Sequence, residues 1–271
     1  MSAASAEYVL RLADDCLVLS HRLAEWAAHA PQIEEDIALT NIGLDLLGQA
    51  RALLSHAGEL EAASPEAASL GAASSGCPTR TEDDLAYLRQ EHEFRCCLLV
   101  EQPNGAAGQS YNFAVAMVRQ LLFTAYHLPL LRALTTSTDE TLAGIAAKGV
   151  KEARYHLEHT AGWVVRLGDG TDESRRRMQA ALDELYPYAG ELFESDSVTA
   201  AAAESGLGPD PAELRPAWDA TIDAVLAEAT LDRPSRAALP GTGRAGRHTE
   251  HLGYLLAEMQ YLHRLHPGAT W

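Results

Sequence analysis

Tyr8-Val9-Leu10-Arg11-Leu12-Ala13-Asp14-Asp15-Cys16-Leu17-Val18-Leu19-Ser20-His21-Arg22-Leu23-Ala24-Glu25-Trp26 decides the architecture. Within it Tyr8, Leu12, Cys16, Leu19, Leu23 and Trp26 recur at gaps of four and three, which is the spacing of one buried face of an α-helix. Ala30-Pro31 stops that helix. A second begins near Ile33 and repeats Ile37, Leu44, Leu47, Arg51 and Leu54 on the side expected to face inward. The break between the two is short, so they pack antiparallel as an αα-hairpin.

The same pattern returns further along. Residues 109–135 form a long helix with Val115, Leu122, Phe123, Tyr126 and Leu130, and Thr138-Asp139-Glu140 caps another that runs to Leu167. Between the hairpins, Thr81-Glu82-Asp83-Asp84 opens a shorter helix to about Arg95, and Gln102-Pro103-Asn104-Gly105 makes a turn. Helical segments near 172–195, 210–230 and 248–265 pack around this frame. Two αα-hairpins joined by a longer crossover are the sequence pattern of an all-α, ferritin-like four-helix bundle with additional peripheral helices. The whole of 1–271 reads as one such domain, with 62–78, rich in Ala, Ser, Gly and Pro, as a flexible surface loop.

Composition agrees. The 271 residues include 48 alanines against only 6% aromatics, a balance that favours helix over sheet. A formal charge of -17 repels phosphate backbones and anionic membrane surfaces, so nucleic acid and membrane are excluded as expected partners. The four cysteines Cys16, Cys77, Cys96 and Cys97 contain no C-x-x-C pair and read as incidental thiols in a reducing, cytoplasmic setting. No signal peptide and no charge-free run of membrane length is visible.

Bundles of this plan often hold two metal ions, with a carboxylate from each of two helices and Glu-x-x-His from each of the others. Here Glu152-Ala153-Arg154-Tyr155-His156 places Tyr155 where the imidazole belongs, with His156 and His159 on the Glu152 face. Asp45-Leu46-Leu47-Gly48 and Asp36-Ile37-Ala38-Leu39 lack a histidine as well, and Asp14, Asp15 and Glu25 are the first helix's possible inward acids. From Gln109 to Thr138 there is no Asp or Glu at all, and Arg119 stands on the apolar stripe instead. An interior cation opposite carboxylates competes with a metal, so the expectation is no catalytic residue and no metal ligand in this chain. In their place we expect a vestigial polar core of Asp45, Arg119, Glu152, Tyr155 and His156, with Arg119 paired to Glu152, or to Asp45 as well.

Other groupings carry less. His248-Thr249-Glu250-His251 has metal-compatible spacing but no reciprocal cluster, Glu91-His92-Glu93 reads as a charged helix face, and Gly241-Thr242-Gly243-Arg244-Ala245-Gly246 reads as a flexible connector. Trp163, Trp218 and Trp271 are core residues or interface anchors.

Several runs carry a family resemblance. Residues 10–20, Asn41 to Arg51, Leu98-Leu99-Val100-Glu101-Gln102-Pro103-Asn104-Gly105, Lys151 to His156, and His248 to Leu262 resemble the C subunit of bacterial ring-1,2-phenylacetyl-CoA epoxidases, the phenylacetate-CoA oxygenase complexes. The resemblance implies a structural, non-catalytic subunit of a multicomponent monooxygenase in aerobic phenylacetate breakdown. It further implies a heteromer with the catalytic A subunit, which carries the di-iron site, together with the small B subunit and a reductase using FAD, an iron-sulfur cluster and NADPH. Two other readings stay open at this level: a metal-dependent oxygenase built on Glu152, His156 and His159, and a helical binding module unrelated to oxygenases.

Overall fold

The computed structural model describes residues 3–63, 79–105 and 111–269. Helix α1 (Ala3–Ala24) and helix α2 (Ile33–Ala62) form the first hairpin. The turn between them is closed by Asp36, whose carboxylate accepts the amide of Ala28, a residue with φ of 66°. After the crossover with its single-turn α3 (Leu98–Glu101), the second hairpin is α4 (Phe113–Leu134) and α5 (Glu140–Gly168). Asn112 caps α4, and Asp139 caps α5 by accepting from Leu142 N, which satisfies amides that no helix turn can reach. Helices α6 (Asp172–Leu185), α7 (Ser197–Glu204), α8 (Arg215–Glu228), α9 (Glu250–Met259) and α10 (Tyr261–Leu265) surround this frame, and no strand occurs among the described residues.

The hairpins meet along α2 and α5, which run antiparallel, and one apolar core joins all the long helices. Helix α4 is buried on nearly every side. By length and composition it is apolar enough to cross a membrane, yet 94% of its most apolar window is covered by the other helices, so it is the central core helix. Trp218 is sealed in this core and donates from Nε1 to the Leu122 carbonyl at 2.9 Å, while Trp163 is partly buried, edge-on to Phe113. Trp271 and most of the loop expected at 62–78 lie outside the described residues.

Three local expectations change. The Thr81 cap is real, since its hydroxyl accepts from Asp84 N, but only one wide helical turn over Asp84–Leu88 follows, then a short 3-10 turn at Glu91–Glu93. The helix to Arg95 does not form because Arg89 folds back onto the Leu85 carbonyl and the buried Asp14. Of the α2 residues expected inward, Leu54 is buried and Leu47 partly so, but Ile37, Leu44 and Arg51, with Ile33, face outward; the inward side carries Leu39, Ile42, Leu46, Gln49 and Leu53. Finally, 241–246 is packed in place. A Cβ on Gly243 would overlap the Cys96 carbonyl oxygen, so only glycine allows this approach.

Candidate functional site

At the centre of the bundle, where this fold can hold metal, each of the four long helices contributes a polar side chain. Cys16 on α1 lies 3.9 Å from Gln49 Oε1 on α2 and 3.8 Å from His127 Nε2 on α4. Gln49 Nε2 donates to Glu152 Oε2 on α5 at 2.8 Å, and Lys148 Nζ stands 3.6 Å from the other carboxylate oxygen. One turn further along α5, the buried His156 Nε2 meets Asp45 Oδ2 on α2 at 3.0 Å, and beyond it His159 Nε2 meets Glu35 Oε2 at 2.9 Å. Gly149 makes room for this: a Cβ there would sit 3.2 Å from the Gln49 amide carbon and 3.1 Å from Leu131 Cδ1.

Burial sets the charge states. Burial, with His156 nearby, pushes the His127 imidazole down to about 3, so it is neutral at neutral pH. Burial pushes the Cys16 thiol up, aided by Asp15 and Glu152, so it stays protonated. His156 is likewise lowered by burial, with Asp45 opposing.

Arg119 is not part of this chain of contacts. It is fully buried, and its guanidinium donates to the Gln102 carbonyl at 2.6 Å, the Pro103 carbonyl at 3.3 Å and Asn104 Oδ1 at 2.7 Å. The expected pairs with Glu152 and Asp45 are therefore corrected: the crossover turn supplies nearer acceptors, while Gln49 and His156 take up those acids. Burial, and then Arg22, lower the Arg119 guanidinium to about 9, which leaves it charged at neutral pH. Tyr155, the remaining expected core residue, is half exposed on the outer side of α5.

Asp14 and Asp15 are buried but point away from the bundle centre. Asp14 receives Arg89 and the Arg95 amide, and Asp15 receives Arg244 at 2.6 Å and the Cys97 amide at 2.8 Å. Beside them Cys96, Glu101 and His248 bring three donor atoms close enough to share one cation. His248 already satisfies both ring nitrogens there, Nδ1 on Glu101 at 2.7 Å and Nε2 on the Phe94 carbonyl at 3.0 Å. Two acceptors around one ring require the protonated imidazolium, so this is a buried ion pair fastening the segment before α9 to the crossover.

The bundle centre thus offers a protonated thiol, a neutral imidazole, an amide and a carboxylate already bonded to that amide. Glu152 and His156 are separated by four residues, not three, and the imidazole has its own acid partner. This donor set does not fit a dinuclear iron cage. Sequence reasoning missed Cys16, Gln49 and His127 in this role. The helical period carried the signal, since His127 follows Arg119 and Phe123 at four-residue steps and Gln49 is one turn past Asp45.

The class comes first from the fold. A solved structure from Synechococcus, described as protein 19 with aldehyde deformylating oxidase activity, superposes with a TM-score of 0.54 over 86% of this chain and 93% of that one. At 17% identity this is a likeness of fold, the ferritin-like bundle. The sequence relation is closer. The model of the family described as phenylacetic acid catabolic protein matches residues 1–271. The C subunit of the 1,2-phenylacetyl-CoA epoxidase of Escherichia coli (strain K12) is 49% identical over 264 residues, 97% of this chain and 98% of that one. The chain belongs to the phenylacetic acid catabolic protein family.

Proposed function

We propose that this chain is the structural C subunit of a multicomponent phenylacetyl-CoA 1,2-epoxidase and supports a separate catalytic subunit that carries the di-iron centre. A further small subunit, together with a reductase holding FAD, an iron-sulfur cluster and NADPH, completes the assembly in this reading. The observation that carries it is the bundle centre, where Cys16, Gln49, His127 and Glu152 bond to one another across four helices in place of a set of ligands. The relative named as the C subunit of that epoxidase supplies the reaction and the multi-subunit setting.

The physical contribution is binding energy. A partner that is folded only when bound gains stability in proportion to how tightly it is held, and a wide apolar contact is the usual source. The internal contacts suit that role, because a bundle keyed together by buried hydrogen bonds presents a fixed surface. Reconstitution tests the reading. NADPH-dependent consumption of phenylacetyl-CoA by the partner proteins is expected to require this chain, and undiminished turnover in its absence would refute the proposal.

A further inference from the structure

Cys96 and Glu101 on the crossover and His248 before α9 come together although 152 positions separate the first from the last. Among the described residues they are the one set of three Cys, His, Asp or Glu side chains whose ligand atoms all lie within 4.8 Å of one another. Cys96 Sγ is 4.0 Å from Glu101 Oε2 and 3.9 Å from His248 Nδ1, and those two atoms are 2.7 Å apart. Zinc bonds of about 2.3 Å from a thiolate and about 2.0–2.2 Å from an imidazole or a carboxylate meet at one point within a triangle of this size. The outer contacts hold the same three atoms in place. Glu101 Oε1 accepts the Thr249 amide at 2.6 Å, which leaves Oε2 for the inner side. His248 Nε2 meets the Phe94 carbonyl at 3.0 Å, the kind of contact that orients a metal-bound imidazole through its other nitrogen. The side chains of Glu101 and His248 are fully buried, as is Cys96.

We propose that Cys96, Glu101 and His248 form a structural zinc site, apart from the bundle centre, that fastens the start of α9 to the crossover. The metal-free form is the ion pair described above. Zn²⁺ replaces two protons, one from the Cys96 thiol and one from His248 Nδ1, and both pass to solvent. The enclosed group is neutral before and after: thiol, carboxylate and imidazolium on one side, thiolate, carboxylate, imidazole and dication on the other. That equality matters where water does not reach, because a change of net charge there is costly. Burial, with Glu101 and Asp14 nearby, holds the Cys96 thiol well above its ordinary range, so a thiolate at this position needs a cation beside it. The adjacent acids are committed elsewhere, Asp14 to Arg89 and Asp15 to Arg244, so three side chains and a water complete the coordination. One sulfur, one nitrogen and one oxygen favour zinc over magnesium or calcium, which take oxygen ligands. The run His248-Thr249-Glu250-His251 thereby finds its reciprocal donors on the crossover, and His251 is not among the three. The site does not depend on which partner the chain supports.

The test uses the untagged full-length chain, expressed with added zinc and passed over a chelating resin before its metal content is measured. About one zinc per chain is expected to remain. The metal-free chain given Co²⁺ should show the thiolate-to-cobalt charge-transfer absorption of a cysteine-ligated site. Cys96→Ser is expected to abolish that absorption and to cut retained zinc by about tenfold or more, whereas Cys16→Ser, at the bundle centre, should leave both unchanged. Zinc at about a hundred times its dissociation constant should slow amide exchange through 243–256 by about a hundredfold, provided that opening this segment releases the ion. Zinc stripped completely by the resin, or cobalt bound without the thiolate band, would overturn the site. Zinc kept by Cys96→Ser but lost by Cys16→Ser would also overturn it, in favour of a metal at the bundle centre. Should Cys96→Ser fail to fold, the cobalt spectrum of the wild-type chain decides alone.

Discussion

Replacing Arg119 by Met removes the donors that serve the Gln102 and Pro103 carbonyls and Asn104 Oδ1, in a site that water does not reach. Buried acceptors left without donors are expensive, so denaturant unfolding should register a loss of about 2–4 kcal/mol. Glu152→Gln makes the informative comparison. The amide can still accept from Gln49, and a change under about 1 kcal/mol is expected; a cost equal to that of Arg119→Met would mean that the guanidinium depends on this acid after all. His127 gives a titration with a definite sign. Its folded value near 3 lies below the ordinary imidazole value of about 6.5, so in that window the unfolded chain binds the extra proton and stability falls as pH falls. The slope attributable to this one group is about 1.4 kcal/mol per pH unit. His127→Gln should flatten the acid limb by that amount, and an unchanged limb would show that His127 is not held neutral. The sequence exposed Arg119, Glu152 and His156 as polar residues on buried stripes, because a charge among leucines stands out. It did not tell which partner each would find, since Arg119 meets a turn and His156 meets another helix.

Among the elements, the crossover and the segment before α9 are fastened to α1 and to each other by buried ions: Arg89 on Asp14, Arg244 on Asp15 and His248 on Glu101. Removing one member strands its partner, so Arg244→Ala is expected to cost about 3–5 kcal/mol and to raise amide exchange through 243–256 before the long hairpins respond. His248 responds to pH in the opposite sense from His127. Burial alone would lower it, but the Glu101 carboxylate and the Phe94 carbonyl reverse that and hold it above the ordinary imidazole value. Its contribution is therefore complete below about pH 6.5 and lost as pH rises through the folded value. The stability gap between wild type and His248→Gln should be wider at about pH 6 than at about pH 9, and a gap that grows with pH would contradict the ion pair. The helices α1, α2, α4 and α5 were legible because caps and apolar periods coincide, as at Asp139 and along Leu12, Cys16 and Leu19. The inward side of α2 was not. A helix apolar on two sides has no single period to read, and the stripe of Ile33, Ile37 and Leu44 belongs to the outer one. The crossover failed for a different reason: Arg89 and Arg95 are drawn to Asp14, more than seventy positions away, and such long-range pairing overrides a local helix signal.

For the molecule as a whole, the four-helix frame is the one expected from two hairpins, and the polar side chains at its centre bond to one another. Fold and family give a ferritin-like phenylacetic acid catabolic protein, and the self-bonded centre is the observation behind the proposed supporting role. The most direct test is the iron content of this chain purified alone after expression in iron-replete medium, set beside that of its complex with the di-iron partner. A bundle centre bonded to itself predicts essentially no iron on the isolated chain and about two irons per heteromeric pair, all retained by the partner when the two are separated. About two irons bound to the isolated chain and lost on Glu152→Ala would contradict it.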